Sequence, residues 1–432
     1  MSEPVWADSI GREQVGPLLA GPRVSPVKIA LLASTFLPRI GGAELAVHNL
    51  AMQFKKLGHE VTVVTWWGQG RAVRNQVSYP VRTMAPRSFT IGDKQRLGEG
   101  LPFYNKVAPQ IAWLQQRHCF DVWNIQHTFP FGVLAGSRLR RLEVPFVATP
   151  QGDDVIYDPA SHYDLMGIQP IRRRMAECLM AAQQVTSISQ TVTQALVDLG
   201  VPIEQITDIP NGVLVDAFAG PVEPRETVLR RYDIPTDVPL LLSVGRNHPQ
   251  KGYDLIPPTM ERLCADGVPC TWAVVGTDTH HLVKNVDPKI AQHIRCIPAI
   301  LSKEKGEALF NRLPSAGLVA LYRASDIFVI PSRMEGCPLV GAEALAAGLP
   351  IVGTTGMGAP DMVVEGEGGF VVRKNDSAAL AKRIEVLVSD RNLRERMGQF
   401  NHNRGRKRYD WEVVTRQYVA CFEEAITAAR GR

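Results

Sequence analysis

The stretch ASDIFVIPSRMEGCPLVGAEALAAGLPIVGTTGMGAPD, residues 324–361, decides how the chain is read. Its apolar β-branched run at 327–330 stops at Pro331, as expected of a strand buried on both faces of a parallel sheet. A loop, SRMEGCPL, follows. Residues 340–347 are good helix formers ended by Gly348 and then Pro350, and 351–353 reads as the next strand, leading to a glycine-rich loop. Glu335 falls on the loop at the carboxyl end of the first strand, and Glu343 falls inside the helix. The backbone of Cys337, Pro338, Leu339 and Val340 opens that helix, where unpaired donors and the dipole favour an anion. A phosphate bound there would lie between the two acids. Two acids at this spacing are common by themselves, and a surface Glu with a helix-capping Glu is the plain alternative.

Working outward, the chain has 432 residues, 45% hydrophobic and 21% charged, enough for two or three soluble domains. A net charge of +5 is mild for this length and does not call for a nucleic-acid partner. Basic clusters stand at Arg138, Arg140 and Arg141 and at residues 172–174. They suit an anionic lipid surface or an anionic acceptor, with a solvated helix face as the commoner explanation. Seven cysteines without a C-x-x-C pair argue against a disulfide frame or zinc site and for a reducing, cytoplasmic setting. No apolar run reaches the roughly 18 residues needed to span a bilayer. Residues 1–26, rich in Gly, Pro and polar groups, read as a loose extension.

In the first half, residues 27–33 form a buried strand, Gly41 and Gly42 precede an amphipathic helix over 43–57, Gly58 closes it, and 61–65 is the next strand. This βαβ unit has its glycine turn at the strand's carboxyl end but lacks G-x-G-x-x-G, which disfavours a dinucleotide oxidoreductase. From 68 to 105 the pattern is broken and suggests an irregular pocket wall. Strand 121–126 leads to His127, and strand 145–150 leads to Gln151-Gly152-Asp153-Asp154. The two aspartates suggest a metal site, yet spacing implies no third ligand. In the second half, strand 240–244 runs into GRNHPQKG, where Arg246 offers a fork of donors to phosphate oxygens and Lys251 a compact charge. At the end of strand 271–276, Gly276 would permit close approach of a ligand. After it the chain offers a strand over 295–299, a helix over 318–323, a small hairpin at GGFVV and an amphipathic end over 411–428.

The pattern PS-x-x-EG-x-x-LV-x-x-EALA-x-G-x-P over 331–350 resembles the signature of retaining nucleotide-sugar glycosyltransferases of the GT-B fold, glycosyltransferase family four. The likeness runs from residue 27 to about residue 425 and includes the GG-x-E turn, GR-x-x-x-x-KG and the IPNGV crossing. It implies two Rossmann-like parallel-sheet domains facing a cleft: an acceptor-side domain over 27–212, a nucleotide-sugar domain over 213–408, and a helix over 409–432 returning to the first. It implies Glu335 near the transferred sugar, Glu343 on the ribose, Gly41 and Gly42 near the diphosphate, and the base held by backbone near 295–299. The donor would be a nucleotide-diphosphate sugar and the acceptor a hydroxyl-bearing glycan, lipid or small molecule, with no cofactor or metal required. Two positions depart from the family: Gln151 stands where many relatives have a histidine touching the donor sugar, and Asp361 where Glu is frequent. Glutamine keeps a donor and an acceptor but cannot titrate, so His127 and Asp154 become candidates to assist. Competing readings are a catalytically silent nucleotide-sugar-binding subunit and, less favoured, a sugar-nucleotide epimerase; the oligomeric state stays open.

Overall fold

A computed structural model of the chain describes residues 25–85, 104–159, 164–221, 223–300, 314–356 and 362–431. The apolar strands form two sheets, each parallel throughout, so successive strands are joined by crossovers that lay helices on both faces. The first sheet has the order β3-β2-β1-β4-β5-β6-β7, with β1 Lys28–Ala33, β2 Glu60–Trp66, β3 Val81–Met84, β4 Val122–Gln126, β5 Phe146–Thr149, β6 Gln184–Ser187 and β7 Ile206–Asp208. The second has the order β10-β9-β8-β11-β12-β13, with β8 Leu240–Val244, β9 Thr271–Val275, β10 Ile294–Ile297, β11 Ile327–Ile330, β12 Ile351–Thr354 and β13 Gly369–Val372.

Strand alternation divides each sheet's side chains between two cores. Ala30 and Leu32 of β1 enter the core on one face, and Ile29, Leu31 and Ala33 enter the core on the other. In the second sheet Leu240, Leu242 and Phe328 lie on one side and Leu241, Ile327 and Val329 on the opposite side. The helix Trp411–Arg430 completes the first sheet, not the second: its Trp411, Tyr418 and Phe422 belong to the same core as β1 and the helix Gly42–Lys56. It reaches that position where two passages of chain run side by side. Val213 N donates to Tyr409 O at 2.6 Å and Trp411 N to Val213 O at 3.1 Å, and the Trp411 ring fills the space a side chain on Gly212 would need.

Three sequence expectations change. The stretch 68–105 is not irregular throughout, since it holds most of the helix Trp67–Val73 and the edge strand β3; residues 86–103 of the expected pocket wall lie outside the described residues, as do residues 1–24 and Asp361. The helix Tyr104–His118 was hidden by its internal Pro109. The expected hairpin at GGFVV is instead β13, paired in parallel with β12 from Ile351↔Gly369 to Thr354↔Val372, because it extends the sheet at its open edge.

In both sheets the order reverses beside the first strand, between β1 and β4 and between β8 and β11. Open parallel sheets bind ligands at the carboxyl ends of the strands beside such a reversal. The loops after β1, β4, β5, β8 and β11 therefore hold the candidate site.

Candidate active site

The loop after β8 is shaped by glycine. Gly245 and Gly276 pack backbone to backbone at the ends of β8 and β9, leaving no room for a side chain on Gly276. The close approach expected there for a ligand is thus taken by the protein's own chain. Gly252, at φ 62°, sits against the Pro331 carbonyl, which ties this loop to the one after β11. Between those two contacts the 3-10 turn Pro249–Lys251 delivers Lys251. Its Nζ pairs with Glu335 Oε1, and Ser332 Oγ lies 3.3 Å from the same oxygen. The pair is 22% and 14% exposed, respectively, so the charges are largely out of water. Glu335 N donates to Gly356 O at 2.8 Å, which fixes the backbone carrying the acid. Arg333 braces the loop, bonding both Asp254 oxygens at 2.8 and 2.6 Å, Pro249 O at 2.7 Å and Asn375 Oδ1 at 2.7 Å. Arg246 is exposed and makes no hydrogen bond or ion pair among the described residues.

Beyond Glu335 the helix Leu339–Ala347 begins after Pro338 and ends at Gly348, φ 73°. Pro338 has no N–H, so of the four residues expected to present amides, it presents none; Leu339 and Val340 occupy the first turn, ahead of the helical hydrogen bonds. One turn on, Glu343 Oε2 accepts from the Tyr322 hydroxyl at 2.8 Å. Burial raises the Glu343 carboxyl to about 7, although the tyrosine bond works against that shift. Across the cleft, Gly42 faces Leu339: a side chain on Gly42 would meet Leu339 at 4.0 Å. Gly41 caps the helix Gly42–Lys56. The Glu44 carboxylate curls back against Gly41 and pairs with Arg39 at 3.3 Å, so an acid of the chain itself occupies this helix start.

The floor of the first domain is a file of amides and hydroxyls. Asn211 Nδ2 donates to Gln151 Oε1 at 2.9 Å, Gln151 Nε2 to Gln126 Oε1 at 3.0 Å, and Gln126 Nε2 to Asn124 Oδ1 at 2.6 Å. Asn124 and Thr186 then both reach Thr149 Oγ1, at 2.9 and 2.7 Å. Tyr418 of the C-terminal helix joins the file through Thr186, Thr149 and Gln126. Gln151 is therefore held at both ends of its amide. Asp154 is buried and saturated: it accepts from Thr128 N and Oγ1 at 2.5 and 2.7 Å, and from Gln151 N and Gly152 N at 2.9 and 3.1 Å. It acts as the anchor of the Gln151–Gly152 turn.

His127, left-handed at φ 56°, places Nε2 at 2.7 Å from Asp153 Oδ1. Burial by itself would lower its pKa; the carboxylates of Asp153, Asp154 and Glu44 outweigh it and raise the imidazole to about 9. His127 also supplies the third group that spacing did not reveal, because it arrives from the neighbouring strand β4. The ligand atoms of His127, Asp153 and Asp154 lie within 4.8 Å of one another, as do those of the exposed Asp278, His280 and His281. The four donors already on Asp154 make the first trio a poor metal cradle.

At Gly152 and Gly336 the two domains approach backbone to backbone, with Met334 and Cys337 packed beside them on the first domain's core. A side chain on Gly336 would stand 2.8 Å from Gln151 O, and one on Gly152, φ 115°, would stand 3.3 Å from Gly336 Cα. Lys374 and Asp158 add an ion pair at 3.7 Å between the two halves. The structure thus gathers Gln151, Gly152, Glu335, Lys251 and the start of the Leu339–Ala347 helix around one cleft, with Gly42 on its far wall. Sequence reasoning missed Ser332, Tyr322 and Asn211, which hold the acids and Gln151. Ser332 and Asn211 lie inside motifs read for other residues, and Tyr322 carried no signal because its partner is distant in sequence.

Comparison with known proteins agrees with this geometry. The model described as glycosyl transferases group 1 matches residues 224–404, and that of glycosyltransferase family 4 matches residues 40–217. A D-inositol 3-phosphate glycosyltransferase of Acidothermus cellulolyticus is 26% identical over 453 residues, covering 99% of this chain and 97% of the relative. A sulfoquinovosyl transferase of Arabidopsis thaliana is 24% identical over 415 residues, covering 92% and 74%. Among solved structures, Anabaena HepE in complex with UDP superposes with a TM-score of 0.71 at 18% identity, covering 92% of this chain and 100% of that one. The chain belongs to the group 1, family 4 glycosyltransferases of the GT-B fold.

Proposed function

We propose that the protein is a retaining hexosyltransferase that moves a sugar from a nucleotide-diphosphate donor to an acceptor hydroxyl, without a resident metal. The observation that carries this reading is the Lys251–Glu335 pair, set into the carboxyl end of the second sheet at its order reversal, with exposed Arg246 on the same loop. As the bond from the sugar's anomeric carbon to the diphosphate breaks, negative charge grows on the leaving oxygen and positive charge on the ring. Arg246, Lys251 and the first-turn amides of Leu339 and Val340 have the sign and the donors to hold the diphosphate. Glu335 lies beside Lys251, on the side where the sugar would sit, and Glu343 stands one turn along to accept from ribose hydroxyls.

The acceptor oxygen forms the new bond to the anomeric carbon, and its proton passes to the departing phosphate. No titrating group is needed at Gln151, whose amide is pinned in the floor. Its role in this reading is to shape the sugar pocket, and the pinned amide supports that role over proton transfer. The UDP bound to the Anabaena neighbour supports a nucleoside diphosphate in the corresponding cleft. Among the described residues no helix is long and apolar enough to cross a membrane, and we place the enzyme in the cytoplasm.

A panel of UDP-, GDP- and ADP-sugars tests the reading by thermal shift and by donor hydrolysis or transfer. One donor is expected to bind and turn over, and Lys251→Ala is expected to lower kcat at least about a hundredfold. Tight binding with no turnover of any donor would make the chain a silent binding subunit instead. Near-normal turnover in Lys251→Ala would overturn the catalytic assignment.

A further inference from the structure

Three helices lie side by side on one face of the first sheet: Tyr104–His118, Phe131–Arg141 and Gln169–Ala181. Each follows a parallel strand or precedes one, so all three run antiparallel to the strands, and their C-terminal ends point away from the cleft. Their sequences contain eight Lys and Arg against one acid, Glu177, and Glu177 is paired with Arg173 at 2.9 Å. Basic residues at helix C-termini complement the dipole, which accounts for some of this bias. It does not account for the apolar groups among them. Trp113 is 60% exposed and Met180 is 49% exposed, each on the outward stripe of its helix with cations: Trp113 with Lys106 and Arg117, Met180 with Arg173. Between them, Arg140 and Arg141 are exposed and make no ion pair among the described residues.

We propose that the outer surface of this three-helix layer docks on an anionic lipid bilayer. A tryptophan flanked by cations has the amphipathic character that settles at a headgroup boundary, and the unpaired arginines match the negative surface potential of such a leaflet. The docking face lies on the helix side of the first domain, so the cleft stays in water. The proposal does not depend on which donor the enzyme uses.

The full chain is mixed with vesicles of phosphatidylcholine alone, and with vesicles containing about 30% phosphatidylglycerol, each contributing basic residue near such a surface being worth roughly a kilocalorie per mole. Cosedimentation is expected with the anionic vesicles only, and to weaken as salt is raised. Arg140→Glu combined with Arg141→Glu is expected to lower the bound partition by at least about thirtyfold, and Trp113→Ala to lower it severalfold. Circular dichroism melts identify any variant that has simply unfolded, and Trp113→Ala, an exposed position, serves as the independent check. Absence of binding to anionic vesicles at low salt overturns the proposal, as does binding that ignores both variants. Tighter binding to an RNA duplex than to vesicles, lost in the same variants, would assign the face to nucleic acid and also overturn it.

Discussion

Replacing Glu343 with glutamine should stabilise the protein at neutral and higher pH while weakening its hold on nucleotide. Burial places the Glu343 carboxyl at about 7, against 4.5 for an ordinary glutamate. In that interval the folded protein keeps a proton that the unfolded chain has released, so stability falls as pH rises from 4.5 and the loss is complete above about 7. At 1.36 kcal/mol per pKa unit the full penalty is on the order of 3 kcal/mol. Glu343→Gln retains an oxygen to accept from Tyr322 and cannot ionise. Denaturant unfolding followed by circular dichroism should show the two proteins equal near pH 4.5 and the variant ahead by about 3 kcal/mol at about pH 8. Hydroxyls of a bound ribose would donate to the carboxylate and draw its pKa down again. Calorimetry should therefore show UDP binding by the wild type tightening as pH rises through about 7, and weaker binding with little pH dependence in the variant. A variant no more stable than wild type at high pH, or a stability gap that does not change with pH, would refute the reasoning.

Two further outcomes follow from the geometry. Gly336→Ala puts a methyl group 2.8 Å from Gln151 O, where only movement of the two halves can relieve it; kcat/KM for donor turnover should fall by about tenfold or more, with a melting temperature close to wild type. Arg333→Ala removes four hydrogen bonds that tie three loops together; it should cost about 1 to 2 kcal/mol in chemical denaturation, and Arg333→Lys should recover little, since a lysine cannot span both oxygens of Asp254.

Much of the fold was legible because buried parallel strands advertise themselves. The run at 327–330 is apolar throughout and that at 240–244 is apolar but for the buried Ser243, and the structure returns them as β11 and β8 with the same bounds. The short edge strand β3 and the proline-bearing helix Tyr104–His118 lacked such a pattern, and the parallel pairing of β13 is a tertiary fact that local sequence cannot express. In the site, the motifs brought Lys251 and Glu335 to notice separately, but they stand 84 positions apart and nothing local says that they pair. The same holds for His127 and Asp153, joined across neighbouring strands. Gly276 shows the opposite error: its need for a missing side chain was plain, while the occupant of the space was the chain's own carbonyl.

The place where the chain crosses between its halves sets what those halves can do. Outward and return passages are laced together at Val213 and Tyr409–Trp411, and Arg408 bonds Asp208 at 2.6 Å at the same edge. A body fastened along one short seam can swing about that line but has little freedom to slide or to turn across it. Gln151 bonds Asn211, two residues before Val213, so the cleft floor, where Gly152 meets Gly336, lies beside that line and moves least for any small rotation. The parts of the cleft farther from it open most while the seam keeps its bonds.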